Sequence, residues 1–329
     1  MLRIQPRPRV DHVGASEAGH LVAGWLLRRV LPEPASPLGR GRLNPLRVVR
    51  GPLRLLVRRC PIERRGFALS LYGVWLMPRP GDATYQFCMA GTYGFYFSRL
   101  LESWDRPFTL LDVGANVGLY SLVAIRNDAL TAIHAFEPEP DTAHFLQANL
   151  THAGGGPQVS VHEVALSDSA GTAPLHVKRG HSGGSTLDPH FSGDSKPIRL
   201  VDSEYLDREV CPGPEEVVVK LDVEGHEFPA LQAIAGWSGW SQVVALWIEF
   251  SSATDRDACE ALLSGAGFAE RHRVGTPYHY DALYVRPEVS LPQRLRLRGG
   301  ETGAATPRSR TLGDPHPSDH GELVERREA

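Results

Sequence analysis

The chain has 329 residues and a formal net charge of −3. That small sum hides a split, because residues 1–59 carry twelve arginines against three acidic residues, a local +9, and leave −12 for the remainder. A hydrophobic fraction of 42% suits a globular core rather than a membrane protein, and the acidic body argues against general nucleic-acid binding.

No apolar run approaches the ~20 residues that a bilayer crossing requires. Leu21–Leu27, after an arginine-containing stretch, is the nearest approach to a signal peptide and is short for one. Cys60, Cys88, Cys211 and Cys259 form no CxxC pair, so neither a zinc module nor a disulfide framework is indicated. A reduced, cytoplasmic setting is expected.

Residues 1–65 read as an Arg/Pro-rich N-terminal extension, partly disordered. Around Leu21–Leu31 a short basic amphipathic helix is the sharper alternative, with weak contact to an anionic surface. Residues 66–108 form a lead-in: 66–77 alternate like strand or hairpin, and 84–103 are aromatic-rich and end like a helix. Residues 109–286 then alternate short apolar strands with helical stretches. Strands are expected at TLLDVG, AIHAFEP, QVSVHEVALS, EEVVVKLDVEG, QVVALWIEF, FAERHRV and DALYVRP. The expected fold is therefore α/β, a seven-stranded, mostly parallel sheet with helices on both faces. Residues 287–329 lack aromatic residues and are expected to be disordered. In such sheets ligands bind beyond the carboxyl ends of the strands, so the last residue of each strand is the one to inspect.

The first of these strands ends in Asp112 and Gly114, and Asn116 and Gly118 open the following helix. The pattern D-x-G-x-x-x-G differs from the dinucleotide fingerprint, and Asp112 would repel a pyrophosphate. Its carboxylate suits an amino-bearing ligand instead. Glu137, at the end of the second strand, occupies the place where an acid accepts hydrogen bonds from ribose hydroxyls. A nucleoside with an amino-acid tail and no phosphate satisfies both acids, and S-adenosyl-L-methionine is such a ligand. Read alone, Asp112 is equally a helix cap and Glu137 a strand end at the surface.

LDVGANVGLYSL, HAFEPEP and VVVKLDVEGHEFPAL together resemble the signature blocks of FkbM-type methyltransferases, over about residues 110–286. The resemblance implies a Rossmann-like class I methyltransferase fold and methyl transfer from S-adenosyl-L-methionine to oxygen, commonly a hydroxyl of a sugar or secondary metabolite. It also implies that Asp112, Gly114, Asn116 and Gly118 form the cofactor turn, that Glu137 contacts the ribose, and that Asp168 lies near the adenine.

The fourth strand delivers Asp222, Glu224, His226 and Glu227 after an apolar run, and Glu249 ends the fifth. Alternation puts Asp222 and Glu224 on one side, where the methyl acceptor is expected. Asp222, Glu224, His226 and Glu249 are the candidate catalytic residues, because a carboxylate or imidazole in reach of the acceptor hydroxyl can take its proton. Crowding of like charge would raise a carboxylate pKa, whereas acids beside His226 would keep that ring protonated. Helix capping is the plain reading of His226 and Glu227. No metal is expected, although Asp222, Glu224 and Glu249 are chemically able to hold a divalent ion. Lys220, one of three lysines, is expected to pair with an acid. Residues 179–186 read either as a polar loop able to close over the acceptor or as a plain surface loop, and Tyr278, His279 and Tyr280 as ordinary packing or, alternatively, as contacts for a sugar face. The expected partner is a small-molecule or glycan hydroxyl substrate, with neither nucleic acid nor a transmembrane segment involved. An NAD(P)-dependent oxidoreductase and a non-catalytic cofactor-binding scaffold are the alternatives.

Overall fold

A computed structural model of the chain describes residues 63–292, apart from 155–157, 192, 212 and 252–253. The expectations for most of the N-terminal extension and for residues 293–329 fall outside these residues. Three short strands come first, β1 (Glu63–Arg64), β2 (Phe67–Leu69) and β3 (Trp75–Leu76), in a small antiparallel sheet. Helix α1 (Ala83–Ala90) is opened by Asp82, whose carboxylate accepts the Tyr85 N–H, and is closed by Gly91 in the left-handed region. Helix α2 (Phe95–Ser103) follows. The aromatic stretch 84–103 is thus two helices, because Gly91 and Gly94 both take positive φ between them.

Strands and helices then alternate. They run β4 (Phe108–Val113), α3 (Leu119–Ala124), β5 (Leu130–Phe136), α4 (Pro140–Ala153) and β6 (Gln158–His162). A side unit follows, with β7 (Ala165–Leu166), β8 (Gly171–His176) and β9 (Ser195–Val201). The chain returns through α5 (Ser203–Glu209), β10 (Glu216–Leu221), α6 (Glu227–Gly236) and β11 (Val243–Phe250). It ends in α7 (Arg256–Gly265), β12 (Ala269–Gly275) and β13 (Tyr280–Val285).

The main sheet has seven strands in the order β12-β13-β11-β10-β4-β5-β6. β10 pairs in parallel with β4 and β11, and β4-β5-β6 are parallel; only β13 runs antiparallel to its neighbours. This is the expected mostly parallel α/β sheet. From β4 the chain proceeds to one edge through β5 and β6, then returns to build the other half from β10. The switch point therefore lies between the carboxyl ends of β4 and β10, the place where sheets of this topology bind ligands.

Alternation along each strand sorts the core onto two faces. Leu110, Ile133, Val218 and Trp247 pack with Phe97 and Leu100 of α2, Leu122 and Val123 of α3 and Leu146 of α4. Leu111, Val113, Val219 and Ile248 pack with Leu206 of α5, Leu231 and Ile234 of α6 and Leu263 of α7. All eight residues of β11 are buried, as expected for a strand covered on both sides.

One expectation needs correction. The segment 158–167 is not a single strand: β6 ends at His162, and β7 joins β9 and β8 in a separate three-stranded sheet. β9 (SKPIRLV) alternates exposed and buried positions and includes a lysine, a proline and an arginine, so it carries little apolar signal.

Candidate active site

The turn after β4 is shaped by three residues with positive φ, Gly114 (74°), Asn116 (51°) and Gly118 (86°). A Cβ on Gly114 would collide with the backbone carbonyl of Asp222. This glycine therefore lets the turn after β4 touch the turn after β10. The close approach is between two backbones.

Asp112 is fully buried. Its Oδ2 accepts from the Ser121 N–H (3.1 Å) and hydroxyl (2.6 Å), and Oδ1 stands 4.0 Å from Lys220 Nζ without a hydrogen-bond partner in the protein. Ser121 lies in the first turn of α3, so Asp112 acts as a remote cap. It braces the turn after β4, which matches the helix-cap reading of Asp112, while Oδ1 stays without a protein partner. Burial pushes its carboxyl up, against the pull of Lys220 and Ser121.

Glu137, just past β5, is also buried, and its two oxygens accept one backbone N–H each, from Asn116 (2.9 Å) and Glu139 (3.0 Å). Each oxygen retains a lone pair, as a ribose diol requires. Burial raises this carboxyl to about 7, although both N–H bonds and Lys220 oppose the rise. On the far side, Asp168 accepts from the hydroxyls of Ser167 (3.2 Å) and Ser169 (3.1 Å). His226 Nε2 lies 3.1 Å from the Ser167 hydroxyl.

That contact places the His226 ring with Ser167, apart from the group formed by Asp222, Glu224 and Glu249, and burial lowers its pKa while Asp168 opposes the fall. The expected strong protonation by neighbouring acids therefore does not operate. Glu227 is structural: it accepts from the N–H groups of Val223 (3.2 Å) and Gly225 (3.0 Å) and from the Thr254 hydroxyl (2.7 Å), and so ties down the turn before α6.

Asp222, Glu224 and Glu249 do converge, with one ligand atom from each within 4.8 Å of the others. Asp222 accepts from the Tyr93 hydroxyl and pairs with Lys220 Nζ at 3.3 Å. Lys220 also donates to the carbonyls of Gly114 (2.5 Å) and Val113 (3.2 Å), so a single ammonium holds the two turns together. Burial alone would raise Asp222; Lys220 and the bonds from Glu249 and Tyr93 hold it below the usual carboxylate range. Glu249 is driven strongly upward by burial and by the charges of Asp222 and Glu224. Glu224 rises to about 8 for the same kinds of reason. The cluster is therefore one anionic carboxylate beside two that tend to hold protons. Lys220, so close to Asp222, opposes the approach of a dication to that carboxylate.

Two partners were not among the candidate catalytic residues. Tyr93 lies in the lead-in, between α1 and α2, where its aromatic neighbours hid it. His279, in the turn between β12 and β13, bonds Glu249 Oε1 through Nε2 at 2.9 Å. Of the three residues suggested for a sugar face, Tyr280 is buried against Phe250 and is excluded, whereas Tyr278 is 81% exposed.

The loop 179–186 is anchored at both ends of the crevice. The Ser182 N–H donates to Asp82 Oδ2 (2.7 Å), and its hydroxyl lies 3.0 Å from Asn116 Oδ1. The Gly183 N–H donates to the Thr84 hydroxyl (2.9 Å), and the Thr186 hydroxyl donates to the Glu224 carbonyl (2.7 Å). The donor set fits a nucleoside without phosphate. It offers buried carboxylates at strand ends, and the lysine at the turn is already engaged with two carbonyls and two acids.

Residues 112–272 match the family described as Methyltransferase FkbM domain. Among curated proteins, Methyltransferase sdnD of Sordaria araneosa is 32% identical over 194 residues, 50% of this chain and 74% of that protein. Hexuronic acid methyltransferase AglP of Haloferax volcanii is 30% identical over 175 residues, 51% of this chain and 66% of that protein. Among solved structures, M. capricolum TrmK in complex with S-adenosyl-homocysteine overlaps 59% of this chain and 69% of its own, at 7% identity and a TM-score of 0.37. The METTL16 MTase domain overlaps 76% and 84%, at 11% identity and a TM-score of 0.37. The strand order, rather than these overlaps, identifies the fold.

Proposed function

The chain belongs to the FkbM methyltransferase family, and from that premise we propose that it is an O-methyltransferase acting on a hydroxyl of a sugar, glycan or secondary metabolite. It is an S-adenosylmethionine-dependent enzyme, which sets aside the oxidoreductase and scaffold alternatives. The observation that carries the hydroxyl is the proton-handling cluster of Asp222, Glu224 and Glu249 beside the cofactor turn. A hydroxyl must lose a proton during methylation, and such a cluster can take it. A carboxylate acceptor has no proton to lose, and the Asp222 charge would repel it.

Bound S-adenosylmethionine supplies a methyl group on a positively charged sulfur, so what remains for the chain is to place the acceptor oxygen and remove its proton. Glu137 is assigned to the ribose hydroxyls, and Asp168, with Ser167 and His226 behind it, to the adenine. Asp112, Gly114, Asn116 and Gly118 shape the turn between them. Asp222 is the base, kept anionic by Lys220 and oriented by the Tyr93 hydroxyl; Glu249, which already holds a proton, takes the one from Asp222 only as it releases its own. The lead-in 66–108 belongs to the catalytic unit with 109–286, since it contributes Tyr93 and Asp82.

The test incubates the protein with methyl-labelled cofactor and an extract of its own cells, then identifies the labelled product by mass. A label that survives mild alkali and that fragmentation of the product places on oxygen marks a methyl ether and supports the proposal. Release of the label as methanol marks an ester on a carboxylate, as a hexuronic acid could form, and sinks it.

A further inference from the structure

Methyl transfer to a hydroxyl leaves one proton in the site at every turnover. The groups around it are enclosed: the side chains of Lys220, Glu249 and Asp222 are 4%, 7% and 15% exposed. His279 is different. Its side chain is 61% exposed, yet Nε2 lies 2.9 Å from Glu249 Oε1. One edge of the ring meets the buried cluster while the residue reaches solvent.

The position is built, not incidental. Glu249 stands opposite Asp281 in the β11–β13 register, next to the hairpin turn. The turn is closed by the Thr276 N–H donating to the His279 carbonyl (2.8 Å) and by the His279 N–H donating to the Thr276 hydroxyl (3.1 Å). Gly275, at φ 134°, packs so tightly against the His279 carbonyl that a Cβ would clash there. The groups facing Glu249 are Asp222 and Lys220 from β10 and its end, Glu224 from the loop after it, and Asp281 from β13. Tyr93 faces the same group from the lead-in.

From this geometry we infer that His279 is the proton outlet of the methyl-transfer site, relaying protons from Glu249 to water. The inference rests on the hydroxyl-methylation reading above. The new O–C bond forms as the S–C bond breaks, with its electron pair left on sulfur, and the acceptor proton passes to the Asp222–Glu249 pair. Glu249 delivers a proton through Oε1 to Nε2, and the ring releases one from Nδ1 to water. The exposed ring then recovers its starting tautomer by exchange with solvent. His279 acts through Glu249 and is a relay, distinct from the base that touches the acceptor.

Two measurements on the full chain test this. In the labelled-extract assay, His279→Ala is expected to lower turnover at least tenfold with KM and adenosylhomocysteine affinity unchanged, and millimolar imidazole is expected to restore it. His279→Gln can still hydrogen-bond Glu249 but cannot take up one proton and release another, and is expected to be equally slow. Wild-type turnover in either variant, or a loss that imidazole leaves untouched, overturns the relay. The second measurement needs no acceptor: the ring-nitrogen signals of His279 are compared by NMR in the wild type and in Glu249→Gln. A relay through the Nε2–Oε1 contact predicts a changed tautomer balance in the variant, and identical spectra overturn the relay. An unlabelled extract with the wild type counts instead against the hydroxyl reading, so the two failures are distinguishable.

Discussion

Lys220 and Tyr93 show how single side chains define the chemistry. Each donates to Asp222, and each is expected to keep it anionic. Removing the Tyr93 hydroxyl as Tyr93→Phe deletes a hydrogen bond to a charged group, of the ~1.5–3 kcal/mol class. The expected result is a fall in kcat of roughly ten- to a hundredfold, with adenosylhomocysteine affinity unchanged by calorimetry. Glu137 supports a prediction about pH. Its pKa is about 7 when folded, above the ordinary 4.5, so the folded state binds more protons between those values and loses stability as pH rises through that window. Its contribution is fully present below pH 4.5 and gone above 7. Glu137→Gln is expected to remove that slope, at most about 3 kcal/mol between pH 4.5 and 8, in chemical denaturation of the ligand-free protein. At this scale the sequence was informative about carboxylates at strand ends and silent about their partners. Asp222, Glu224 and Glu249 could be read because each follows an apolar run. Tyr93 and His279 follow no such rule; they meet the cluster only when distant segments fold over it. His226 bonds Ser167 instead of joining the three carboxylates, across a turn in which Glu224 and Gly225 both take positive φ.

Between elements, the decisive contact is the turn after β4 against the turn after β10. Gly114→Ala places a methyl group against the Asp222 carbonyl at a φ that side chains rarely adopt. It is expected to destabilise the fold by several kcal/mol in thermal unfolding. Gly171→Ala, at an ordinary φ with open space around it, is expected to change stability by less than about 0.5 kcal/mol. The anchoring of the loop 179–186 makes a separate prediction. Asp82 both caps α1 and receives the Ser182 N–H. Asp82→Ala is expected to cost about 1 kcal/mol from the lost cap, and to speed tryptic cleavage after Lys178 and Arg179. Unchanged cleavage would mean that the loop is held elsewhere. The seven strands of the main sheet were readable because apolar runs and helical stretches alternate so regularly. The side sheet β7-β9-β8 was not, since β9 is half exposed and interrupted by Pro197.

Across the whole molecule, helices α2, α3 and α4 cover one face of the sheet and α5, α6 and α7 the other, leaving the crevice at one end of the strands. No helix among the described residues is long and apolar enough to cross a membrane. Ligand binding to the folded state alone is expected to stabilise it, by about 2.7 kcal/mol for adenosylhomocysteine at a hundredfold its Kd. A thermal-shift titration measures this, and the absence of any shift would contradict the cofactor assignment. The loop that begins at residue 179 has two anchors, Ser182 on Asn116 and Thr186 on the Glu224 carbonyl. The same short loop therefore ties the turn after β4 to the turn after β10 through side chains, a second bridge beside the backbone contact at Gly114.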